Sequence, residues 1–342
     1  MDGSEESRII SVKVFYNGAT VTEECNIYDG RCTIPVPEEI DPDSIRMISD
    51  RGHDVPFWLS TVKNGDGFWT LEVRDLKLTE SVIATYCVDG SYWTPVYKID
   101  SEDMTIRLFA SVRNNTGKDW NAWNMRCVCG SMHVSPAPTY CSNAPMVMSR
   151  GRNAGPDDAD TGREYTMDGC IPANSCIQKP LEDAKHIGEP KVLRCSPCAS
   201  RYAHITCDVD RSLASVPGKT VSYSENGSIA YSHIQPGAAE EKLRLTLAAD
   251  TSVLCDFTRA TRRNGDGVMM QTESSFVIRN DHDSPREVIV QEGTPVSKDN
   301  AGNAELVEDG GAELDRDGTL TWTLNIPAKQ TVKKRFVYTY RA

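Results

Sequence analysis

The chain has 342 residues, a hydrophobic content of 39% and a formal net charge of -12. That length exceeds one ordinary sandwich and suits two domains, and the composition is that of a folded chain. The acidic balance repels phosphate backbones and anionic lipid, so no nucleic-acid or membrane-surface partner is expected; the densest basic stretches, Arg259–Arg263 and Lys333–Arg335, are short.

In chain order, Met1–Ser7 is acidic and polar. No secretory leader is expected there, and no run approaches the roughly 18 apolar residues of a membrane span. The expectation is a cytoplasmic chain with reduced thiols. Alternation of period two then sets in. Ile10, Val12, Val14 and Tyr16 alternate up to Asn17-Gly18, a two-residue turn signal that predicts a hairpin. Cys32–Val36 predicts a short strand, and Phe57–Leu59 with Phe68–Val73 flank Asn64-Gly65-Asp66-Gly67, a second hairpin signal. Ser81–Val88 and Trp93–Ile99 flank Asp89-Gly90. Thr105–Val112 and Trp123–Val134 follow. Pro95 inside its run predicts an edge or a bulge.

Later strands are predicted at His204–Val209, Thr220–Tyr223, Ser228–Ile234, Lys242–Ala248, Val253–Thr258, Met269–Ile278, Glu287–Gln291, Thr319–Ile326 and Val332–Tyr340, with turn signals between them. Short helical turns are predicted in Asp41–Met47 and Glu305–Glu308. Residues 135–200 differ. They hold eight prolines and five of the chain's twelve cysteines and lack alternation. They read as a long Cys/Pro-rich insertion loop that contacts a partner.

The fold class expected is all-β: a β-rich N-terminal domain, 1–80, and a β-sandwich-like domain, 81–342, interrupted at about 135–200. Cys87, Cys127, Cys129, Cys207 and Cys255 lie in apolar alternation and read as small core hydrophobes, so no disulfide is expected among Cys87, Cys127, Cys129 and Cys255. Trp93, Trp120 and Trp322 are expected in the core of the larger domain.

Candidate chemistry is sparse. Cys195-Ser196-Pro197-Cys198 followed by His204 and Cys207 offers four zinc ligands. The competing reading is a loop pair before a strand. His204 and Cys207 are three apart, so on one strand they point to opposite faces. Hydrolase elbows, phosphate loops and dinucleotide fingerprints are absent from the sequence. Asp315-Arg316-Asp317-Gly318 reads as a β-turn rather than a calcium loop.

A family resemblance rests on Tyr92, Trp93-Thr94-Pro95-Val96-Tyr97, Thr116-Gly117-Lys118-Asp119-Trp120, Thr294-Pro295-Val296-Ser297 and Trp322-Thr323-Leu324. These resemble the C-terminal domain of mucoidy inhibitor A-like proteins. Asn17–Thr22 and Asp41–Arg46 resemble that family's N-terminal domain. The resemblance implies structural roles for Trp93, Pro95, Tyr97, Thr116, Gly117, Asp119, Trp120, Pro295 and Trp322, and no catalytic residues. Two departures are visible: the usual coiled coil between the domains is missing, and Lys118 stands where an acidic residue is usual.

The function expected is a non-catalytic protein-interaction or structural module, a homo-oligomer or subunit of a larger assembly, with protein partners. One alternative is a zinc-dependent or hydrolytic enzyme built on the Cys195–Cys207 cluster. Another is a carbohydrate-binding sandwich using Trp58, Trp69 and Trp123. No cofactor other than zinc is suggested.

Overall fold

Strands Arg8–Val14 (β1) and Gly18–Asn26 (β2) form the hairpin predicted at Asn17-Gly18, the Phe15 N–H donating to the Gly18 carbonyl at 2.8 Å. Val12, Val14, Ala19, Val21 and Cys25 alternate into the interior, as period-two strands require. The computed structural model describes residues 7–65, 67–74, 81–132, 163–189, 191–224, 227–238, 242–263, 269–296 and 304–341. Among them the only helical segments are the 3-10 turns Pro42–Ser44 and Arg211–Leu213, and the fold is all-β.

The hairpin widens into a six-stranded sheet. Numbering all strands in chain order, its members include Arg46–Ser49 (β4), Ser81–Asp89 (β7), Asn124–Val128 (β10) and Glu164–Met167 (β11), in the order β11-β10-β1-β2-β7-β4. Cys32–Val36 (β3), Trp58–Ser60 (β5) and Trp69–Val73 (β6) make a small sheet ordered β3-β6-β5. A third sheet has the path β12-β9-β8-β16-β17, where β8 is Tyr92–Asp100, β9 Thr105–Asn114, β12 Ser175–Pro180, β16 Gly218–Tyr223 and β17 Ile229–Ile234; Lys185–His186 (β13) also pairs with β9. The fourth runs β21-β24-β19-β18-β15-β14-β20-β23-β22. Its strands are Val192–Cys195 (β14), Tyr202–Asp210 (β15), Lys242–Arg263 (β18), Met269–Asn280 (β19), Arg286–Gly293 (β20), Ala304–Glu308 (β21), Glu313–Leu314 (β22), Thr319–Ile326 (β23) and Thr331–Arg341 (β24).

These pairings repeat. In a first unit β1 pairs antiparallel with β2 and parallel with β10; β10 pairs with β11, β2 with β7, β8 with β9 and β9 with β12. In a second unit β14 pairs antiparallel with β15 and parallel with β20; β20 pairs with β23, β15 with the first half of β18, its second half with β19, and β19 with β24. The chain order is the same in both. The units differ at one corner. Asp89-Gly90-Ser91 turns β7 out of one sheet and β8 into another, with Gly90 at φ +73, whereas β18 continues through a register shift beside Asp250.

Single residues confirm the equivalence. Asn114 and Asn280 are fully buried at the ends of β9 and β19. The Asn114 amide donates to the carbonyls of Lys118, Ile171 and Pro172 at 2.9, 3.3 and 3.1 Å. The Asn280 amide donates to those of Ser284, Ile326 and Pro327 at 3.0, 3.0 and 3.2 Å. Each Oδ1 accepts the N–H two residues on, from Thr116 and from His282, both at 3.0 Å. The acceptor segments Ile171-Pro172-Ala173-Asn174 and Ile326-Pro327-Ala328-Lys329 share their first three residues, and Asn174 and Lys329 both have left-handed φ values, 50° and 56°.

Several expectations change. The boundary expected at 80/81 falls within the first unit, because β7 completes the sheet begun by β1 and β2 and β10 pairs beyond it. The insertion loop is corrected in part: residues 164–195 supply β11 to β14, while 133–162 lie outside the described residues. β12 is an edge strand with alternate residues exposed, so it carries little apolar signal. The two strands predicted within 242–258 are one strand of 22 residues. Glu305–Glu308 belongs to strand β21, not a helical turn, because β24 offers it a ladder. Pro95 is not on an edge strand. β8 is interior, but its parallel ladder to β16 starts at Val96↔Lys219, one residue after the proline, so the missing N–H interrupts nothing.

Two apolar cores result. The larger collects Val12, Val21, Tyr86, Trp93 and Ile106 from the first unit with Cys207, Leu243, Leu245 and Leu247 from the second. The smaller is built on Phe276, Trp322 and Phe336, whose rings meet at centroid distances of 5.0 and 5.5 Å. Since β23 lies far from β19 and β24 in the sheet order, this contact requires the fourth sheet to curl over on itself.

Candidate functional site

The motif residues form a clamp between the N-terminal strands and the rest of the first unit. Thr116 and Trp120 are buried. Trp120 exchanges both backbone hydrogen bonds with Ile171 at 2.9 Å, and Asp119 Oδ1 accepts the Ala173 N–H at 2.7 Å. Gly117 lies against the Phe68 ring, where a Cβ would sit 3.4 Å away. Lys118 reaches across to β2 and β3, its Nζ 2.6 Å from Glu23 Oε2 and 3.1 Å from the Pro35 carbonyl. Glu23 is completely buried, and its second oxygen accepts the Tyr86 hydroxyl.

Trp93 is fully buried; its indole N–H donates to the Val128 carbonyl at 2.8 Å, and its ring lies against Tyr16 and Tyr165. The Tyr97 hydroxyl accepts the Val216 N–H at 3.1 Å, and burial raises its pKa. Gly218 is required beside Pro95: a Cβ would stand 2.6 Å from the Pro95 carbonyl oxygen. Trp322 donates its indole N–H to the Gly310 carbonyl at 3.2 Å. Pro295 is exposed, in a turn whose Thr294 and Val296 carbonyls crowd Gly318; Ser297 lies outside the described residues. Asp315-Arg316-Asp317-Gly318 is the expected β-turn.

The four zinc candidates are not brought together. Cys195 lies in the smaller core beside Cys255, whereas Cys207 is buried in the larger. His204 faces Ser200 at 3.0 Å, and burial lowers its pKa. Cys198 is exposed; partial burial and the neighbouring Glu292 carboxylate raise its thiol pKa. Among the described residues no group of three or more His, Cys, Asp and Glu side chains is placed to hold a metal. Among the described residues no disulfide joins the cysteines. Trp58 and Trp123 are exposed and Trp69 half-buried, on separate elements; Arg74 covers the Trp58 ring.

Two features escaped the sequence reading. A cleft of about 630 Å³ opens where the two units meet, lined by Lys191, Leu193, Ile205, Asp250, His282 and Arg286 among others. In it His282 Nε2 lies 3.0 and 2.9 Å from the two oxygens of Asp250, and the Ser252 N–H donates to the same carboxylate at 3.0 Å. The second feature is β17, the outer strand of the third sheet. Ile229 and Tyr231 on it are 49% and 62% exposed. Their cross-strand partners on β16 are Tyr223 and Val221, so Tyr223, Ile229 and Tyr231 share one face.

The model of a domain of unknown function, DUF4139, matches residues 82–342. The chain belongs to this family. The DUF4139 match begins inside β7, so it contains Lys118 but not Glu23. The clamp therefore joins the DUF4139 region to the strands before it. The DUF4139 match also contains the whole second unit, the cleft and β17. No curated protein matches the chain.

Proposed function

We propose that this DUF4139 protein is a non-catalytic protein-interaction module of the mucoidy inhibitor A-like type, working as one subunit of a larger assembly. The observation that carries the reading is β17: an outer strand whose free side offers unpaired backbone groups next to exposed Ile229, Tyr231 and Tyr223. A monomer gains nothing by leaving such a strand uncovered, and natural edges normally carry charge or proline instead. An extended segment added there gains main-chain hydrogen bonds and apolar contact together. The Lys219 ammonium lies over the Tyr231 ring at 4.5 Å.

The test replaces Tyr231 by lysine and His233 by proline, two positions of the outer strand whose N–H groups point away from β16. Recovery of specific partners from the native source, measured by quantitative mass spectrometry, should fall to background with the circular dichroism and melting curve unchanged. Full recovery by the folded variant removes β17 from the reading.

A second reading treats the cleft as a small-molecule or catalytic site. It is favoured by the His282–Asp250 pair, an arrangement that orients an imidazole. Loss of a measured hydrolytic turnover in His282→Ala, with partner recovery intact, would favour it.

A further inference from the structure

The tandem arrangement gives each edge of one unit a counterpart in the other. In the first unit β8 pairs with β9 on one side. On its other side Val96–Asp100 pairs in parallel with Lys219–Tyr223 of β16. That covering strand belongs to an insertion of the second unit, between β15 and β18. Trp93 pairs with Val112 and Cys255 with Ile278. Val112 and Ile278 each lie two residues before the buried asparagine, so Trp93 and Cys255 are equivalent. Val96–Asp100 therefore corresponds to residues 258–262 of β18.

There the edge is open. The ladder from β15 ends at Tyr202↔Leu254, and the Cys255 N–H makes the last outward bond, to the Arg201 carbonyl at 2.8 Å. β18 pairs with β19 without a register shift as far as Arg263↔Met270. Backbone groups alternate sides along a regular strand. The N–H and C=O groups of Phe257, Arg259, Thr261 and Arg263 thus face outward, with no strand against them among the described residues.

We propose that this edge receives an extended acidic segment of another protein, running parallel to β18 as β16 runs parallel to β8. The charges select the occupant. Asp256 faces Arg201 at 3.9 Å and Arg259 is bonded to buried Glu292 at 2.9 Å. Arg262 and Arg263 have no carboxylate partner among the described residues, in a chain of net charge -12. They lie on alternate faces, so both faces of an incoming strand meet positive charge. A second copy is a poor occupant. Its own edge would bring like charge to like charge. Its counterpart of the β16 insertion is the β3–β6 segment, whose Cys32, Ile34 and Val36 are already buried in its own core. Nucleic acid would satisfy the arginines but not the outward N–H and C=O groups.

This edge is distinct from β17, and the proposal does not rest on it. The probe is a short fluorescent peptide of alternating glutamate and valine, titrated into the full chain. Binding should weaken with added salt and be lost to a lysine–valine peptide. It should also be lost when the probe's amides are N-methylated at alternate positions. The R262E/R263E variant should bind at least about tenfold more weakly. Thr261→Pro removes one outward N–H without touching the β19 ladder and should abolish binding, whereas the β17 variant should bind as wild type. Amide exchange at Arg259 and Thr261 should slow in the complex, and a spin label on the peptide's N-terminus should broaden signals near Asp256 rather than Arg263. Equal binding by the methylated peptide, or none by the acidic one, overturns the proposal. So does arginine-dependent binding of single-stranded DNA without amide protection, and so does self-association of the chain that competes with the peptide.

Discussion

Lys118 Nζ stands 2.6 Å from Oε2 of Glu23, a carboxylate with no exposed surface. The pair spans 95 residues of sequence and joins the DUF4139 region to the strands that precede it. Removing the ammonium leaves a buried carboxylate supported, among the described residues, by the Tyr86 hydroxyl alone. Lys118→Met should therefore destabilise the fold by about 3–5 kcal/mol. The double variant Lys118→Met/Glu23→Gln should lose less than the single one, since its buried group is neutral. Urea unfolding of both checks this; equal losses would show that the charge is not what matters.

The two buried asparagines should behave alike. Asn114→Ala and Asn280→Ala each strand several carbonyls and one N–H in the interior, at a cost of about 1–3 kcal/mol. If the units are equivalent, the two losses should agree within the scatter of denaturant midpoints. A large loss at one position and none at the other would show that the shared geometry carries different energies.

Thiol reactivity follows environment. Cys170 and Cys176 are exposed and should be alkylated first in the native protein. Cys198 is exposed too, but its pKa is raised by partial burial and by Glu292, so less thiolate forms at neutral pH and it should lag. Glu292→Gln should speed it. Cys127, raised further by burial, should react only on unfolding. A time course of iodoacetamide labelling read by mass spectrometry gives the order.

Acid stability has an identifiable contributor. Glu164 on β11 accepts hydrogen bonds from Arg126 on β10 and Lys13 on β1, and these lower its pKa. A depressed carboxylate stabilises the fold at pH values above its unfolded pKa, and that contribution disappears as pH falls through the folded one. Glu164→Gln should flatten the fall of melting temperature below the ordinary carboxylate range and leave the slope near neutrality unchanged.

Much of the strand pattern was legible because half-buried strands alternate. Thr319–Ile326 matches β23 at both ends, the Asn17-Gly18 turn is where the hairpin closes, and Trp93, Trp120 and Trp322 are core residues, as their apolar neighbours imply. What failed to show has physical reasons. β11 to β14 are short and punctuated by prolines, and β12 buries too little to alternate clearly. β18 looks like two strands because its register shifts beside Asp250. The repeat leaves little more in the sequence than Arg-Asn at 113–114 and 279–280 and Ile-Pro-Ala at 171–173 and 326–328, since sandwich packing constrains polarity more than identity. His282 and Asp250 are 32 positions apart, and only the fold brings them together. The Cys195–Cys207 spacing suggested a shared ion, but the chain sends its members into separate cores.

The continuity of β18 has a mechanical meaning. Leu243, Leu245 and Leu247 on its first half are buried in one core; Val253 and Cys255 on its second half are buried in the other. Its 22 residues, at about 3.3 Å each, act as a girder rather than a tether. Sandwiches strung on a glycine linker would swivel and present their outer strands at changing distances. Here one backbone is shared, so any two bodies gripped by β17 and by the far end of β18 would be held at one spacing and one angle. A strand continuous through both cores would in that case act as a gauge of the distance between those bodies.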